Sequence, residues 1–135
     1  INILFLTNKG YVRLEEDDIS YIKGNHGLVI RLETPGNNSA LASFKLIEFP
    51  GCCGICISTA SYVNSEYRNK GLGTLLNDFR QALAYYQGFS ILMCTDQDKN
   101  EVQRKILKTN RWKDIYQFVN NRTDNLLNIT IKDLN

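Results

Sequence analysis

The stretch Tyr67-Arg68-Asn69-Lys70-Gly71-Leu72-Gly73-Thr74-Leu75-Leu76 joins a strand-like run at residues 56–63 to a helix-like run at residues 72–86. Two glycines and two cations therefore stand where a helix begins. A helix start leaves its first backbone N–H groups without intrahelical acceptors and carries partial positive charge, so it attracts anions. Gly71 and Gly73 have no Cβ, which lets a ligand approach the main chain and permits positive φ if the turn needs it. Arg68 and Lys70 add charge beside those amides. The chemistry served best is the cradling of a phosphate or pyrophosphate.

Missing residues narrow the ligand. In a P-loop the lysine follows the second glycine, whereas Lys70 precedes the glycine pair. A dinucleotide fingerprint places a third glycine where Leu76 stands. No acidic residue closes a second strand about 20 residues on, as a ribose-binding carboxylate should. What remains is Arg-x-x-Gly-x-Gly after a strand headed Val-x-x-x-Tyr, at Val63 and Tyr67. This resembles the coenzyme A-binding motif of the GNAT N-acetyltransferase superfamily, in which the first position is Gln or Arg.

The order of elements after the motif is similar to that of the family. Leu72, Leu75, Leu76, Phe79, Leu83 and Tyr86 recur at three- and four-residue steps as one helical stripe, and Gly88 stops it at a C′ position. Residues 89–95 form a short apolar run, expected to be a buried strand. The polar residues 96–100 lead to a second helix with Val102 and Ile106 on one face. Asn100 suits the N-cap of that helix and also matches an asparagine that stands near the cofactor in the family. Residues 115–119 and 126–134 are expected to be strands around a polar turn at 120–125. In the second of them Leu127, Ile129 and Ile131 alternate with Asn128, Thr130 and Lys132, the pattern of a half-buried strand. The resemblance covers residues 52–134 and is strongest over 63–76.

The first half is less legible. Residues 28–33 and 40–49 are expected to form a hairpin through the loop 34–39, and Pro50-Gly51 to turn the chain into a third run at 52–63. Residues 1–6 are a candidate first strand and 15–22 a short acidic helix.

Composition bounds the rest. The chain has 135 residues, 43% of them hydrophobic, enough for one globular domain with a single core. No repeat, low-complexity tract or Pro/Gly linker marks a boundary, so residues 1–135 are expected to be one GNAT-like domain with a short or truncated N-terminal part. A net charge of +2 gives little support to a nucleic-acid partner, which wants a strongly basic face. No run approaches the roughly 18 apolar residues of a membrane helix, and no signal-peptide pattern opens the chain. Cys53-Gly54-Ile55-Cys56 invites a metal or redox reading, but an odd spacing within a strand sends the two thiols to opposite faces. No second such pair exists, and His26 is the only histidine. Cys52, Cys53, Cys56 and Cys94 are expected to be small buried thiols of a reducing cytoplasm, with no metal.

The resemblance implies an α/β (α+β) domain: a central, mostly antiparallel mixed sheet flanked by helices, with acetyl-CoA as donor and an amine as acceptor. It implies that Val63, Arg68, Asn69, Lys70, Gly71, Leu72, Gly73, Thr74 and Asn100 bind the cofactor. Backbone N–H groups around Val63 are expected to polarise the acetyl carbonyl. Ser58, Ala60 and Ser61 are small enough to leave a groove for the pantetheine arm.

The match to the family's Tyr-x-x-x-Gly-Phe is partial. Trp112 fills the aromatic place, Arg111 replaces the glycine, and Leu107 replaces the tyrosine that usually protonates the departing thiolate. The run 52–63 lacks an acidic residue, which leaves Glu48, Asp96, Tyr62, Cys94 and Tyr116 as candidates for proton transfer and none assigned as catalytic. Three classes stay open: an N-acetyltransferase, a non-catalytic domain that keeps the fold and binds acetyl-CoA, and a nucleic-acid-base modifier on the same scaffold. The acceptor and the oligomeric state, a dimer included, are open as well.

Overall fold

Leu28 and Ile30 on one strand, and Ala42, Phe44 and Leu46 on the next, are buried at every second residue. Side chains of a strand point alternately to its two faces, so this pattern lays one face of the sheet on a core. The computed structural model describes residues 2–7, 10–13, 27–33, 40–68 and 71–135. Its strands are β1 (Asn2–Thr7), β2 (Gly10–Arg13), β3 (Leu28–Glu33), β4 (Ala40–Glu48), β5 (Ile55–Val63), β6 (Ile91–Gln97), β7 (Lys113–Val119) and β8 (Leu126–Asp133). They form one sheet in the order β2-β1-β3-β4-β5-β6-β8-β7. Every neighbouring pair is antiparallel except β5 and β6, which are parallel. A parallel pair needs a crossover connection, and helix α1 (Leu72–Tyr86) supplies it. Helix α2 (Glu101–Thr109) connects β6 to β7. The expected mixed, mostly antiparallel sheet with helices is the observed architecture.

The parallel pair is incomplete, and this opens the molecule. β5 and β6 are in register only from Ile55 to Ile57 against Ile91 to Met93, although β5 runs on to Val63 and β6 to Gln97. Beyond Ile57 the two strands part. On its other side β5 stays bonded to β4 up to Ala42 opposite Val63, through a register shift where Ala60 and Ser61 together face Phe44. A bulge of this kind adds twist to the strand that carries it.

Helix α1 has the bounds that its periodicity predicts, but the buried face is rotated. Leu76, Asn77, Arg80, Leu83 and Ala84 are its buried residues, while Leu75 and Tyr86 of the expected stripe are exposed. Apolar periodicity misses the two polar members, Asn77 and Arg80, whose partners lie inside the protein. Phe79 packs edge-on against Phe44 of β4, with ring centroids 6.0 Å apart.

Both helices end in the same six-residue hydrogen-bonded turn. At the end of α1, Phe89 N–H donates to the Ala84 carbonyl and Gly88 N–H to that of Tyr85, with Gly88 at φ 85°. At the end of α2, Trp112 N–H donates to Leu107 and Arg111 N–H to Lys108, with Arg111 at φ 62°. This is the Schellman motif, whose left-handed C′ residue is ordinarily glycine. Arg111 thus holds the left-handed conformation that glycine ordinarily takes at this place in the turn. Lys132 donates to the Asn110 carbonyl at 2.7 Å and adds positive charge at the same helix end.

Several expectations need correction. Residues 52–54 form a turn before β5, so Cys53 is exposed outside the strand while Cys56 and Cys94 are buried. The buried set on β8 is the polar one, Asn128 and Thr130, and the Leu/Ile face is only half covered. Hydrogen bonds explain that inversion. Thr130 Oγ1 lies 2.9 Å from Asp96 Oδ1 and 3.0 Å from Asp114 Oδ1, and Asn128 donates to Asp98. Arg104 of α2 joins the cluster through both Asp96 and Asp114, which fastens α2 across this part of the sheet. The expected first strand is displaced by one residue, and the pairing of β2 with β1 has no counterpart in the sequence reading. The expected helix at 15–22 and loop at 34–39 lie outside the described residues.

Candidate functional site

The parting of β5 from β6 opens a cleft of about 730 Å³, closed on its other sides by the starts of α1 and α2. Ser61, Tyr62 and Val63 line it from β5. In the antiparallel ladder Asn64 N–H donates to the Leu41 carbonyl at 2.8 Å, which makes the Val63–Ala42 pair a non-hydrogen-bonded one. The N–H and C=O of Val63 therefore point away from β4, toward the side that β6 has left. The Val63 carbonyl is taken by Arg68 Nε at 3.2 Å, which folds Arg68 back over the strand end at the cleft.

Gly71 is the N-cap of α1, with φ 83° and ψ 2°. A left-handed residue is strained for any side chain with a Cβ, so the position calls for glycine. Its carbonyl accepts the first intrahelical bond, from Leu75 N–H at 3.1 Å. Having no side chain, it offers no cap to the amides that follow, and the first turn carries no acidic residue. The N–H groups of the first turn lack intrahelical acceptors, and the positive end of the helix dipole is unopposed. Gly73 and Thr74 line the cleft at this point, and Leu72 is half-buried against the core. A Cβ at Gly73 would stand 2.9 Å from Ile106 Cδ1 of α2, a contact that the end of the isoleucine side chain could relieve by shifting. Asn69 and Lys70, the other expected members of the cradle, lie outside the described residues.

Helix α2 forms the opposite wall. Asn100 is its N-cap and accepts from Gln103 N–H at 3.1 Å, while also lining the cleft. Val102 and Ile106, the apolar face expected from the sequence, turn to the cleft, and Lys105 lines it as well. Leu107 is different. It is 1% exposed within the core, and it does not line the cleft.

The floor holds residues that apolar periodicity did not reveal. Arg80 is 3% exposed and lines the cleft with Asn77. Its Nε and Nη2 donate to Asn77 Oδ1 at 3.2 and 2.9 Å, and Nη1 donates to Ser58 Oγ at 3.2 Å. Ser58, expected to leave space for a ligand arm, is therefore buried and engaged. Trp112 lies under the guanidinium at 4.7 Å and donates from Nε1 to Gln81 Oε1 at 2.9 Å. The sequence signal that was available is the run of polar residues at three-residue steps inside α1, Asn77 and Arg80.

Electrostatically the cleft is one-sided. Arg68, Arg80 and Lys105 line it, and among the described residues no Asp or Glu does. The proton-transfer candidates separate accordingly. Tyr62 stands at the cleft. Glu48 pairs with Cys56 at the other end of the β4–β5 ladder, and Tyr116 is exposed on the edge strand β7. Asp96 is held by Arg104 and Thr130. Burial pushes the Cys94 thiol up to about 11 and the Cys56 thiol to about 12, so neither supplies a thiolate at neutral pH. Among the described residues no three His, Cys, Asp or Glu side chains converge as a metal site requires, and no helix is long and apolar enough to cross a membrane.

No family model and no curated protein sequence matches the chain. Solved structures do. The ribosomal-protein-S18-alanine N-acetyltransferase of Escherichia coli superposes with a TM-score of 0.69 at 12% identity, covering 91% of this chain and 79% of that one. An N-acetyltransferase from Staphylococcus aureus Mu50 gives 0.70 at 19% identity, with 82% and 70% covered. YncA of Salmonella typhimurium, a proposed acetyltransferase solved with its cofactor acetyl-CoA, gives 0.68 at 16% identity, with 82% and 66% covered. The chain has the fold of the GNAT N-acetyltransferases.

Proposed function

We propose that the protein moves an acetyl group from acetyl-CoA directly to an amine. The observation that carries this is the uncapped start of α1, opening onto a cleft that, among the described residues, is lined by Arg68, Arg80 and Lys105 and by no acid. Anionic ligands gain from both features at once, because fixed amides and a helix dipole act where no carboxylate of the described residues competes. In this reading the coenzyme A pyrophosphate sits at the amides following Gly71, flanked by Arg68. Asn69 and Lys70 belong to the same cradle on the strength of the motif. The pantetheine arm runs along Ser61 to Val63 between the parted strands. The Val63 N–H, directed to that side, is suited to polarise the thioester carbonyl. Asn100, whose oxygen is spent on Gln103, lines the opposite wall of the same cleft.

The transfer itself asks little of the side chains. A neutral amine attacks the thioester carbon, the C–N bond forms, the C–S bond breaks, and coenzyme A leaves as a thiolate. The amine gives up a proton and the thiolate takes one. A thiol with a pKa of about 8.5 is already a fair leaving group, so a dedicated acid is not obligatory. Among the described residues Tyr62 places a phenol at the cleft, and in this reading it carries the proton. Free thiols at Cys52, Cys53, Cys56 and Cys94 support a reducing compartment such as the cytoplasm.

The burial of Leu107 favours one second reading, a domain that binds acetyl-CoA without transferring the acetyl group. Thiol release from acetyl-CoA, followed across a panel of amines and amino-terminal peptides, separates the two. Amine-dependent release is expected. Tight acetyl-CoA binding with no release for any amine would leave the second reading in its place.

A further inference from the structure

We propose that the closed end of the cleft, where Arg80 meets Asn77 and Ser58, takes a carboxylate of the bound ligand. This deepens the coenzyme A reading and rests on it. Arg80 lies along α1 about 12 Å from the helix start, at 1.5 Å per residue. That places it toward the reacting end of a ligand whose pyrophosphate is at Gly71.

A guanidinium has five N–H donors, and three of those of Arg80 are used, all by neutral oxygens. The remaining surface on one side is the face of Trp112. No carboxylate among the described residues forms an ion pair with it. Of the groups that act on it electrostatically, Cys94 is a buried thiol with its pKa raised to about 11, and Asp96 spends its oxygens on Arg104 and Thr130. Burial disfavours the charged form of Arg80 and lowers its pKa. A desolvated cation without a contacting anion is costly to hold, and the planar fork suits two-pronged capture of a carboxylate. Since Arg80 also lines the cleft, that capture has an access route.

An acetyl group brings no charge to this point. Two sources do. One is the distal carboxylate of a dicarboxylic acyl group, as in malonyl- or succinyl-CoA. The other is the carboxylate of an amino-acid acceptor. In either case the bonds that change are those of the transfer already described, and the captured carboxylate is a spectator.

Calorimetry on the full chain distinguishes them. The first arm titrates coenzyme A, acetyl-CoA and succinyl-CoA. The second titrates the coenzyme A complex with alanine, glutamate and phenylalanine, each against the amine that lacks its α-carboxylate. A preference of at least tenfold for the carboxylate is expected in one arm, and that arm names the source. Arg80→Gln should reduce the preference below threefold, and Arg80→Lys, which keeps the charge but loses the fork, should lose most of it. The wild-type comparison decides even where Arg80→Gln fails to fold. Coenzyme A binding with no carboxylate preference in either arm overturns this inference alone, as does an unchanged preference in a folded Arg80 variant. Absence of coenzyme A binding overturns the underlying reading, and this one with it.

Discussion

Two helices begin at the same cleft, and they begin in opposite ways. Asn100 closes the start of α2 by accepting from Gln103 N–H, and Glu101 sets a carboxylate against the positive end of the dipole. Gly71 leaves the start of α1 without a side-chain cap, and no acid stands in its first turn. Glycine at an N-cap gives up only about a few tenths of a kcal/mol relative to a capping side chain, and at φ 83° such a side chain would be strained. The difference teaches where an anion is wanted. The second helix answers its own amides and is a wall, while the first leaves them for a ligand.

The strongest way to break this contrast is to give α1 the chemistry of α2. Thr74→Glu puts a carboxylate in the exposed first turn, where it opposes the dipole as Glu101 does in α2. Such a charge should raise helix stability by about 0.3–1 kcal/mol. Coenzyme A affinity should fall about a hundredfold, roughly 2.7 kcal/mol, because the anion site is then occupied by a like charge. Urea unfolding and calorimetry, run on the same variant, read the two effects separately. Improved stability with unchanged affinity would make the open start a mere accident of the turn.

The converse substitution is Asn100→Ala. It should cost about 1 kcal/mol of stability through loss of the cap to Gln103. Affinity for coenzyme A should change less than threefold. An affinity loss larger than the stability loss would promote Asn100 from wall to ligand contact.

How far the sequence discloses this site depends on the type of signal. The glycine pair and the helix bounds at Leu72–Tyr86 are legible because turns and apolar periodicity are local. The polar floor is not, because Arg80 satisfies itself on Asn77 one turn away and on Ser58 across the chain. For the same reason, alternation on β8 is a true strand signal, but which face is buried is set by partners on β6 and β7. Cys53–Cys56 reads as a strand pair because nothing local announces that the Cys53–Gly54 turn ends before Ile55. The arginine at 111 departs from the motif in side chain, yet its backbone takes the left-handed conformation usual for glycine.

That last point sharpens the comparison at the other ends of the helices, where both close with the same turn. Gly88→Ala should destabilise by about 1 kcal/mol and Arg111→Gly should stabilise by a similar or smaller amount, because only glycine holds positive φ without strain. Thermal midpoints of the two variants should therefore move in opposite directions. A drop for Arg111→Gly would show that its side chain supports the fold in a way that offsets the strain.

The smallest effect concerns how α2 is fastened. Arg104 holds the Asp114 carboxyl below its usual range, with a lesser contribution from Thr130, and the pKa of Arg104 is raised in return. The native state then binds the Asp114 proton less readily than the unfolded chain. Its contribution is fully present above the ordinary Asp pKa of about 3.9 and is lost as pH falls through the lower native value. Both side chains are substantially solvated, so the change is modest. Urea midpoints between neutral pH and pH 2 should decline less steeply on the acid side for Asp114→Asn than for the parent.

On this reading α1 opens onto the cleft in order to hold a pyrophosphate. Calorimetric titration of the unmodified chain with coenzyme A, and separately with pantetheine, which has the same arm and thiol but no phosphate, tests it most directly. The account predicts measurable binding of coenzyme A and at least a hundredfold weaker binding of pantetheine, with the difference shrinking as salt is raised. Equal affinity for the two, or no binding of coenzyme A, would contradict it.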